Sequence, residues 1–340
     1  MFLPQIGGVQ IVANSIAEEL TRRRIPVSVV TRESRGEGDV ARGYEVLRIG
    51  SWCRAIPAIL AADVVILLGP IIEPLFYARL AGRPVVVSNH MAPVGGNGRG
   101  LRLRLIAGLT RRTVDVACSR SLANALGRPA SVVPNPLRED FEIGLDDAPR
   151  PPSILFAGRF IPEKGGSLLL EAFAVVAKES STPTLTFVGE GPERDVLKSR
   201  ARELGLSDRV SFLNLIHGAD LQALYRRHSV VAVPSTGPEA FGLVVLEGLA
   251  SGCRLVVSNR GGLPEAVGPY GIVVDPTIGD IAAALSRALA DAGQPRSSDV
   301  KAAIHQYLNG HRPDEFVSTL LDLAATRWPT LGGKMRSAGA

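Results

Sequence analysis

The sequence predicts an α/β protein with mostly parallel sheets. Two observations carry that prediction: short, continuously apolar, β-branched runs recur along the chain, and segments of helical period separate them. Strands that are apolar on both faces are expected where helices cover both sides of a sheet. At 340 residues the chain is long enough for two domains, each with its own core.

The chain opens on MFLPQIGGVQIVANSIAEEL, where the pair Gly7-Gly8 runs straight into an apolar-periodic helix. A glycine pair of this kind normally turns the backbone between a buried strand and a helix and lets it approach a phosphate. The runs IPVSVVT, DVVILLG, RPVVVSN, VDVACS and SVVPN read as buried strands of a first domain. SILFAG, TLTFVG, RVSFLN, VVAVPS, RLVVSN and GIVVDP do the same for a second. Between the two sets, GLDDAPRPPS at 144–153 gathers three prolines and acidic turn residues. That stretch sets the boundary, giving domains 1–147 and 148–312. A last helix over 313–328 starts at a proline suited to a first helical turn, and the tail 329–340 has little to bury and is expected to be mobile.

A composition of 46% apolar and 21% charged residues is that of a globular protein. The three cysteines, Cys53, Cys118 and Cys253, are odd in number and widely scattered, which fits a reducing cytosol better than a disulfide framework or a zinc site. No apolar run reaches the ~18 residues of a membrane span. The N-terminus lacks the charged and apolar regions of a signal peptide, so a cytoplasmic protein is expected. The net charge of +5 sits wholly in residues 1–150, where 19 Arg face 14 Asp and Glu.

The strongest chemical signal is VVAVPSTGPEAFGLVVLEGLASGCRLVVSN. A strand ends near Pro234 and a helix begins near Phe241, which puts Glu239 in the loop at the helix mouth and Glu247 about two turns down. Free amides at a helix N-terminus attract an anion such as a diphosphate. A carboxylate such as Glu247 accepts hydrogen bonds from vicinal hydroxyls, as an acidic residue does from a ribose in dinucleotide sites. The plain alternative is an ordinary capped helix with one solvated glutamate. A second constellation, SILFAGRFIPEKGGSLLLEAF, places Gly158-Arg159 at a strand end and Lys164-Gly165 before a helix. Two cations on one strand-to-helix loop suit a shared diphosphate, Arg by its planar fork and Lys as a point charge, with a solvated basic loop as the alternative. FVGEGPERDVL then supplies a glycine turn at Glu190-Gly191 suited to backbone contact with a base.

The order GR-x4-KG, VGEGP, VPS-x3-E-x7-E-x4-G and GG-L-PE, the last at Gly261 to Glu265, resembles the donor half of retaining GT-B glycosyltransferases of family 4. The resemblance covers about residues 150–290 strongly and the first half more loosely. It implies two Rossmann-like domains facing across a cleft, the second holding a nucleotide-diphosphate sugar, and helix 313–328 returning to the first. Arg159 and Lys164 match diphosphate ligands, Glu247 the ribose-binding glutamate, and Glu239 the glutamate that reaches sugar hydroxyls. Amides around Phe241, Gly242 and Leu243 would meet sugar and phosphate. His90 matches a histidine facing the donor sugar, and Gly7-Gly8 the first-domain loop facing the donor.

The implied reaction is metal-independent transfer with retention, the nucleotide sugar being substrate and no cofactor being required. The chain has no Asp-x-Asp pair suited to a metal-bound diphosphate, which agrees. Family members open on a buried strand that this chain lacks, so the sequence predicts either a start upstream of Met1 or an impaired enzyme. Pro136 replaces the glycine that usually follows Pro-Asn, altering the path of the linker.

The acceptor is less legible. GRGLRLRLIAGLTRRTV interleaves Arg99, Arg102, Arg104, Arg111 and Arg112 with leucines and Ile106. Such a segment suits an anionic lipid surface at the inner face of the membrane, while a helix with leucines inward and arginines outward is the alternative. Together with the charge asymmetry, it points to a glycan or lipid-linked acceptor in envelope polysaccharide or glycolipid assembly. A nucleic-acid role is disfavoured, because the arginines are not interleaved with stacking aromatics and aromatic content is only 5%. Competing readings are a GT-B epimerase or phosphorylase, and a non-catalytic member that binds a nucleotide or a partner.

Overall fold

The structure is a computed structural model that describes residues 7–32, 43–91, 105–106, 108–146, 148–180 and 182–331. It divides into two compact units, one running up to Arg138 and resuming at His311, the other spanning Glu139–Gly310. Each is a Rossmann-like α/β unit.

The first unit runs through α1 (Gly8–Arg22), β1 (Ser28–Thr31), β2 (Glu45–Arg48), α2 (Ile56–Ala61), β3 (Val65–Leu68), α3 (Ile72–Leu80), β4 (Val85–Asn89), β5 (Val114–Ala117), α4 (Arg120–Leu126) and β6 (Ser131–Val132). It ends on the helix Pro313–Arg327, which is α12 in chain order. Its strands form a parallel pair, β1-β2, and a parallel four-stranded sheet ordered β3-β4-β5-β6. All five residues of β4 are buried, Val85–Val87 as an apolar run and Ser88 and Asn89 with hydrogen-bonded side chains. The strand β2 has no counterpart among the sequence expectations. Its residues Glu-Val-Leu-Arg mix charge with apolar groups and are half-buried to exposed, so the apolar-run signal is missing. The expectation of an absent opening strand concerns the chain ahead of Gly7, and residues 1–6 lie outside the described residues.

The carboxyl ends of β4 and β5 are locked by a polar cluster. Asn89 Nδ2 donates to Val87 O at 3.1 Å and Val116 O at 2.9 Å, and Arg128 Nη2 donates to Asp115 Oδ1 at 2.6 Å and Asn89 Oδ1 at 3.2 Å. Buried charge is tolerated here because it is paired and hydrogen-bonded. The result is a fixed exit for the next residue, His90. At the other end of the chain, Pro313 occupies the first turn of α12, where its missing N–H costs nothing, and Phe316, Val317, Leu320 and Ala324 form the buried stripe. Arg23, which caps the end of α1, joins the two helices, donating to Asp314 O at 2.7 Å and Ser318 Oγ at 2.9 Å while paired with buried Glu19. Residues 332–340 of the expected mobile tail lie outside the described residues, but Leu331, within the same span, is buried.

The second unit contains β7 (Ser153–Ala157), α5 (Gly166–Glu179), β8 (Thr184–Val188), α6 (Arg194–Glu203), β9 (Val210–Leu213), α7 (Gly218–Arg227), β10 (Val230–Val233), α8 (Leu243–Ala250), β11 (Arg254–Ser258), α9 (Leu263–Val267), β12 (Ile272–Val274), α10 (Ile278–Ala292) and α11 (Ser298–Asn309). Its six strands are parallel and ordered β12-β11-β10-β7-β8-β9. The chain winds one way from β7 to β9 and then the other from β10 to β12. The switch point therefore lies between β7 and β10, and in open α/β sheets ligands bind outside the carboxyl ends of such a strand pair. On one face of this sheet α5 and α10 pack against each other and against the strands, with Leu169, Phe173 and Leu285 fully buried. Each such side chain contributes about 1.5–3 kcal/mol by leaving water.

The units part at Arg138 and Glu139, ahead of the proline-rich stretch, and rejoin at His311. Residues 139–146 belong with the second unit because they pack there. Gln222 Nε2 donates to Glu142 O at 2.6 Å, Gly144 N donates to Ala250 O at 2.8 Å, and the buried Phe141 ring meets Tyr225 edge-on at 5.6 Å. Leu137 N donates to His311 O at 2.6 Å, which draws both residues into the first unit.

Candidate functional site

The loops that leave β7 and β10 are stitched together at the switch point. Thr236 N and Gly237 N both donate to Glu163 O, at 2.9 and 3.1 Å. Gly165, at φ +73°, brings the two loops so close that a Cβ would lie 2.0 Å from Pro234 O. The glycine after Lys164 is thus required by backbone contact as well as by its left-handed conformation.

That stitching brings Lys164 to Glu239. Lys164 Nζ pairs with Glu239 Oε1, and the same oxygen accepts from Ser235 Oγ at 2.7 Å. Ser235 is itself buried, and its carbonyl accepts from Ser258 Oγ at 2.7 Å. The main chain of Glu239 is held from a third side. Gly262 N donates to Glu239 O at 2.7 Å, and Gly261, at φ +57°, leaves no room for a Cβ, which would sit 1.9 Å from that oxygen. The paired glycines of GG-L-PE therefore act on the backbone of Glu239. Ser235 has no signal of its own in the sequence beyond its place in VPS.

Glu247 stands on the inner face of α8 with 4% exposure, and Tyr225 Oη of α7 donates to its Oε2 at 2.7 Å. This departs from the alternative of a solvated glutamate, because the carboxylate is buried against Tyr225. Gly242 caps α8 at φ +100°, where a Cβ would lie 2.5 Å from Leu263 Cδ2. Phe241 is buried, so at this end of α8, from Gly242 to Leu243, the backbone is what a ligand can meet.

Arg159 is exposed after β7 and makes no ion pair among the described residues, while Lys164 pairs with Glu239. The Glu190-Gly191 turn packs on the β7 loop: Phe160 N donates to Glu190 O at 2.8 Å and a Cβ on Gly191 would lie 2.3 Å from Phe160 O. Gly158 likewise approaches Gly189, whose Cβ would lie 2.0 Å from Gly158 O. These glycines bind one loop to the next and leave the Glu190 side chain exposed.

The first unit holds the remaining candidates. Gly7 caps α1 in an extended conformation, its carbonyl accepting from Ile11 N at 3.1 Å, and Gly8 is the first helical residue. His90 follows β4 with 9% exposure, its Nε2 at 2.9 Å from Ser88 Oγ. Burial pushes its pKa down from 6.5 to about 4, and the Asn135 amide beside it offsets only part of this. Neither His90 Nδ1 nor Asn135 Oδ1 completes a hydrogen bond of good geometry. The ring is therefore neutral at physiological pH and cannot serve as a cation.

That shift has a sign. Between pH 4 and 6.5 the unfolded chain binds a proton that folded His90 refuses, so stability falls as the pH drops through this window, and His90 contributes nothing above it. Acid unfolding of His90→Gln is expected to be flatter than wild type there, by up to roughly 3 kcal/mol in total. Parallel unfolding curves from pH 7 to 4 would contradict the burial of a neutral ring.

The family model described as "Glycosyl transferases group 1" matches residues 139–305, which are nearly the whole second unit. Residues 139–305 are thus similar to a glycosyl transferases group 1 domain. It is 31% identical over 207 residues to the "Uncharacterized glycosyltransferase YqgM" of Bacillus subtilis, a match covering 60% of this chain and 57% of that one. The chain thus spans little more than half the length of this relative. It is 27% identical over 290 residues to the "GDP-mannose-dependent alpha-(1-6)-phosphatidylinositol monomannoside mannosyltransferase" of Mycobacterium tuberculosis, covering 76% of this chain and 70% of that one. The solved structure of Anabaena Alr3699/HepE in complex with UDP aligns with a TM-score of 0.73 at 20% identity, over 98% of this chain and 97% of that one. At that identity the likeness establishes the fold, which is GT-B. Within the group 1 domain, the matched region contains Arg159, Lys164, Ser235, Glu239 and Glu247. Among the described residues no three His, Cys, Asp or Glu side chains are grouped to hold a metal ion.

Proposed function

We propose that this chain is a retaining glycosyltransferase that moves a sugar from a nucleotide-diphosphate donor to a hydroxyl acceptor without a metal ion. The observation that carries the reading is the convergence of Lys164, Glu239 and Ser235 at the switch point of a group 1 domain. Without donor, Lys164 and Glu239 neutralise each other. A diphosphate competes for the Lys164 ammonium, and the released Glu239 carboxylate, still oriented by Ser235 and Gly262, accepts hydrogen bonds from sugar hydroxyls.

Transfer breaks the bond between the anomeric carbon and the diphosphate oxygen and forms one to the acceptor oxygen. In the retaining course the acceptor attacks from the face the diphosphate leaves, and its proton passes to a phosphate oxygen. Lys164, exposed Arg159 and the uncapped amides of α8 then stabilise the leaving charge, a preorganised electrostatic effect. No protein base is needed, which suits a His90 that is neutral and buried. Its role is a hydrogen bond that orients the sugar, and Gly7-Gly8 keep the donor-facing role implied by the resemblance.

The acceptor we propose is a glycan or lipid-linked hydroxyl used in envelope or glycolipid assembly, reached from the cytoplasmic side. The activity named for the mycobacterial relative, on a phosphatidylinositol monomannoside, supports this class. So does the basic segment 99–112. Of it, 99–104 and 107 lie outside the described residues, Ile106 is buried, and Arg111 and Arg112 are exposed. No helix among the described residues is long and apolar enough to cross a membrane.

A thermal-shift panel with UDP, GDP, ADP and their sugar conjugates tests the donor class. The matching nucleotide at a hundred times its dissociation constant is expected to stabilise the protein by ~2.7 kcal/mol. No shift with any of them would sink the donor reading.

A further inference from the structure

We infer that Tyr225 is a positioning residue for nucleotide recognition, holding Glu247 in the orientation that a ribose diol requires. The inference rests on the donor reading above and deepens it. A carboxylate with 4% exposure needs a donor, since an unsatisfied charge in the interior costs several kcal/mol. Tyr225 supplies one from the neighbouring helix, at 2.7 Å, with an Oη whose ring is fully buried.

The tyrosine is itself fixed. Its ring is met edge-on by Phe141 at 5.6 Å and 78°, and its carbonyl accepts from Cys253 Sγ at 3.2 Å. The helix bearing Glu247 is equally constrained, because Gly248 sits where a Cβ would lie 3.3 Å from Val231 Cβ and 3.2 Å from Leu255 Cδ1. With both helices seated, the phenol bond sets the plane of the carboxylate. Two vicinal hydroxyls are recognised by a carboxylate only in a narrow range of orientations, so a partner that removes rotamer freedom sharpens selection for ribose over deoxyribose. Phe141 lies just past the junction of the units, which explains why the second unit begins ahead of the proline-rich stretch.

The test compares affinities for UDP, GDP and ADP with those for their 2′-deoxy counterparts, in wild type, Tyr225→Phe and Glu247→Ala, each checked for cooperative unfolding. The phenylalanine keeps the ring and removes one hydroxyl. For the base that binds, wild type is expected to prefer the ribonucleotide about tenfold, and Tyr225→Phe to bring that preference within about twofold while leaving the deoxynucleotide affinity unchanged. Glu247→Ala is expected to show the same loss. A Tyr225→Phe protein that melts lower but keeps the full ribose preference would overturn the inference alone, reducing the pair to a core contact. Failure of wild type to bind any nucleoside diphosphate would overturn the donor reading and this inference with it.

Discussion

Lys164→Ala is expected to lower kcat/KM for sugar transfer by about 10²–10³-fold, with the melting temperature close to wild type. Lys164 is the cation that the fold brings to the switch point between β7 and β10, and it pairs with Glu239 across 75 positions of sequence. Its side chain retains 28% exposure, so its removal leaves no sealed cavity. What is lost is the charge that meets the departing diphosphate, an interaction that strengthens as the bond breaks. Lys164→Arg is expected to recover only part of the rate, because a planar guanidinium does not reproduce a compact ammonium at the same point. Nucleoside diphosphate release from UDP-glucose and GDP-mannose measures both variants. Near-normal release by Lys164→Ala would remove the diphosphate role of this residue.

Gly261→Ala is expected to damage both stability and activity, although no ligand-facing side chain changes. The alanine meets two obstacles at once. A φ of +57° costs an L-residue about 1–2 kcal/mol, and the new Cβ would lie 1.9 Å from Glu239 O, so the Glu239 backbone must move. The sum is on the order of 2–4 kcal/mol of stability. A shift of about 1 Å in Glu239 suffices for roughly a hundredfold loss of turnover. Gly82→Ala is the matched control, at φ +65° with nothing within 4 Å of where its methyl would sit, and is expected to cost only the conformational part and leave turnover intact. Equal behaviour of the two variants in chemical denaturation and turnover would show that Gly261 does not set the position of Glu239.

The strands are legible in the sequence wherever the chain is apolar on both faces. VVAVPS and RPVVVSN each hold a fully buried strand, β10 and β4, marked by the apolar runs VVAV and VVV that parallel strands under two helix layers favour. The half-exposed β2 obeys no such rule and leaves no such trace. The order of motifs places the site on the β7 and β10 loops, but it does not say what each glycine or charge touches. Gly165, Gly191 and Gly261 look alike in sequence as loop glycines, and each is required by a neighbouring carbonyl that lies within 2.3 Å of where a Cβ would sit. Ser235 and Tyr225 are invisible as site residues for a related reason. The first looks like a strand-end serine and the second like one more apolar position of a helix, and only packing places them on Glu239 and Glu247. Composition changes at the prolines and puts the expected domain boundary there, whereas the fold divides where Phe141 finds its pocket.

Calorimetric titration of the full chain with UDP, GDP and ADP, set beside uridine, guanosine and adenosine, bears most directly on a donor site built around Lys164 and Glu239. One diphosphate is expected to bind saturably and at least about tenfold more tightly than its nucleoside, with that advantage lost in Lys164→Ala. Absence of binding by all three diphosphates, or a diphosphate no tighter than its nucleoside, would contradict it.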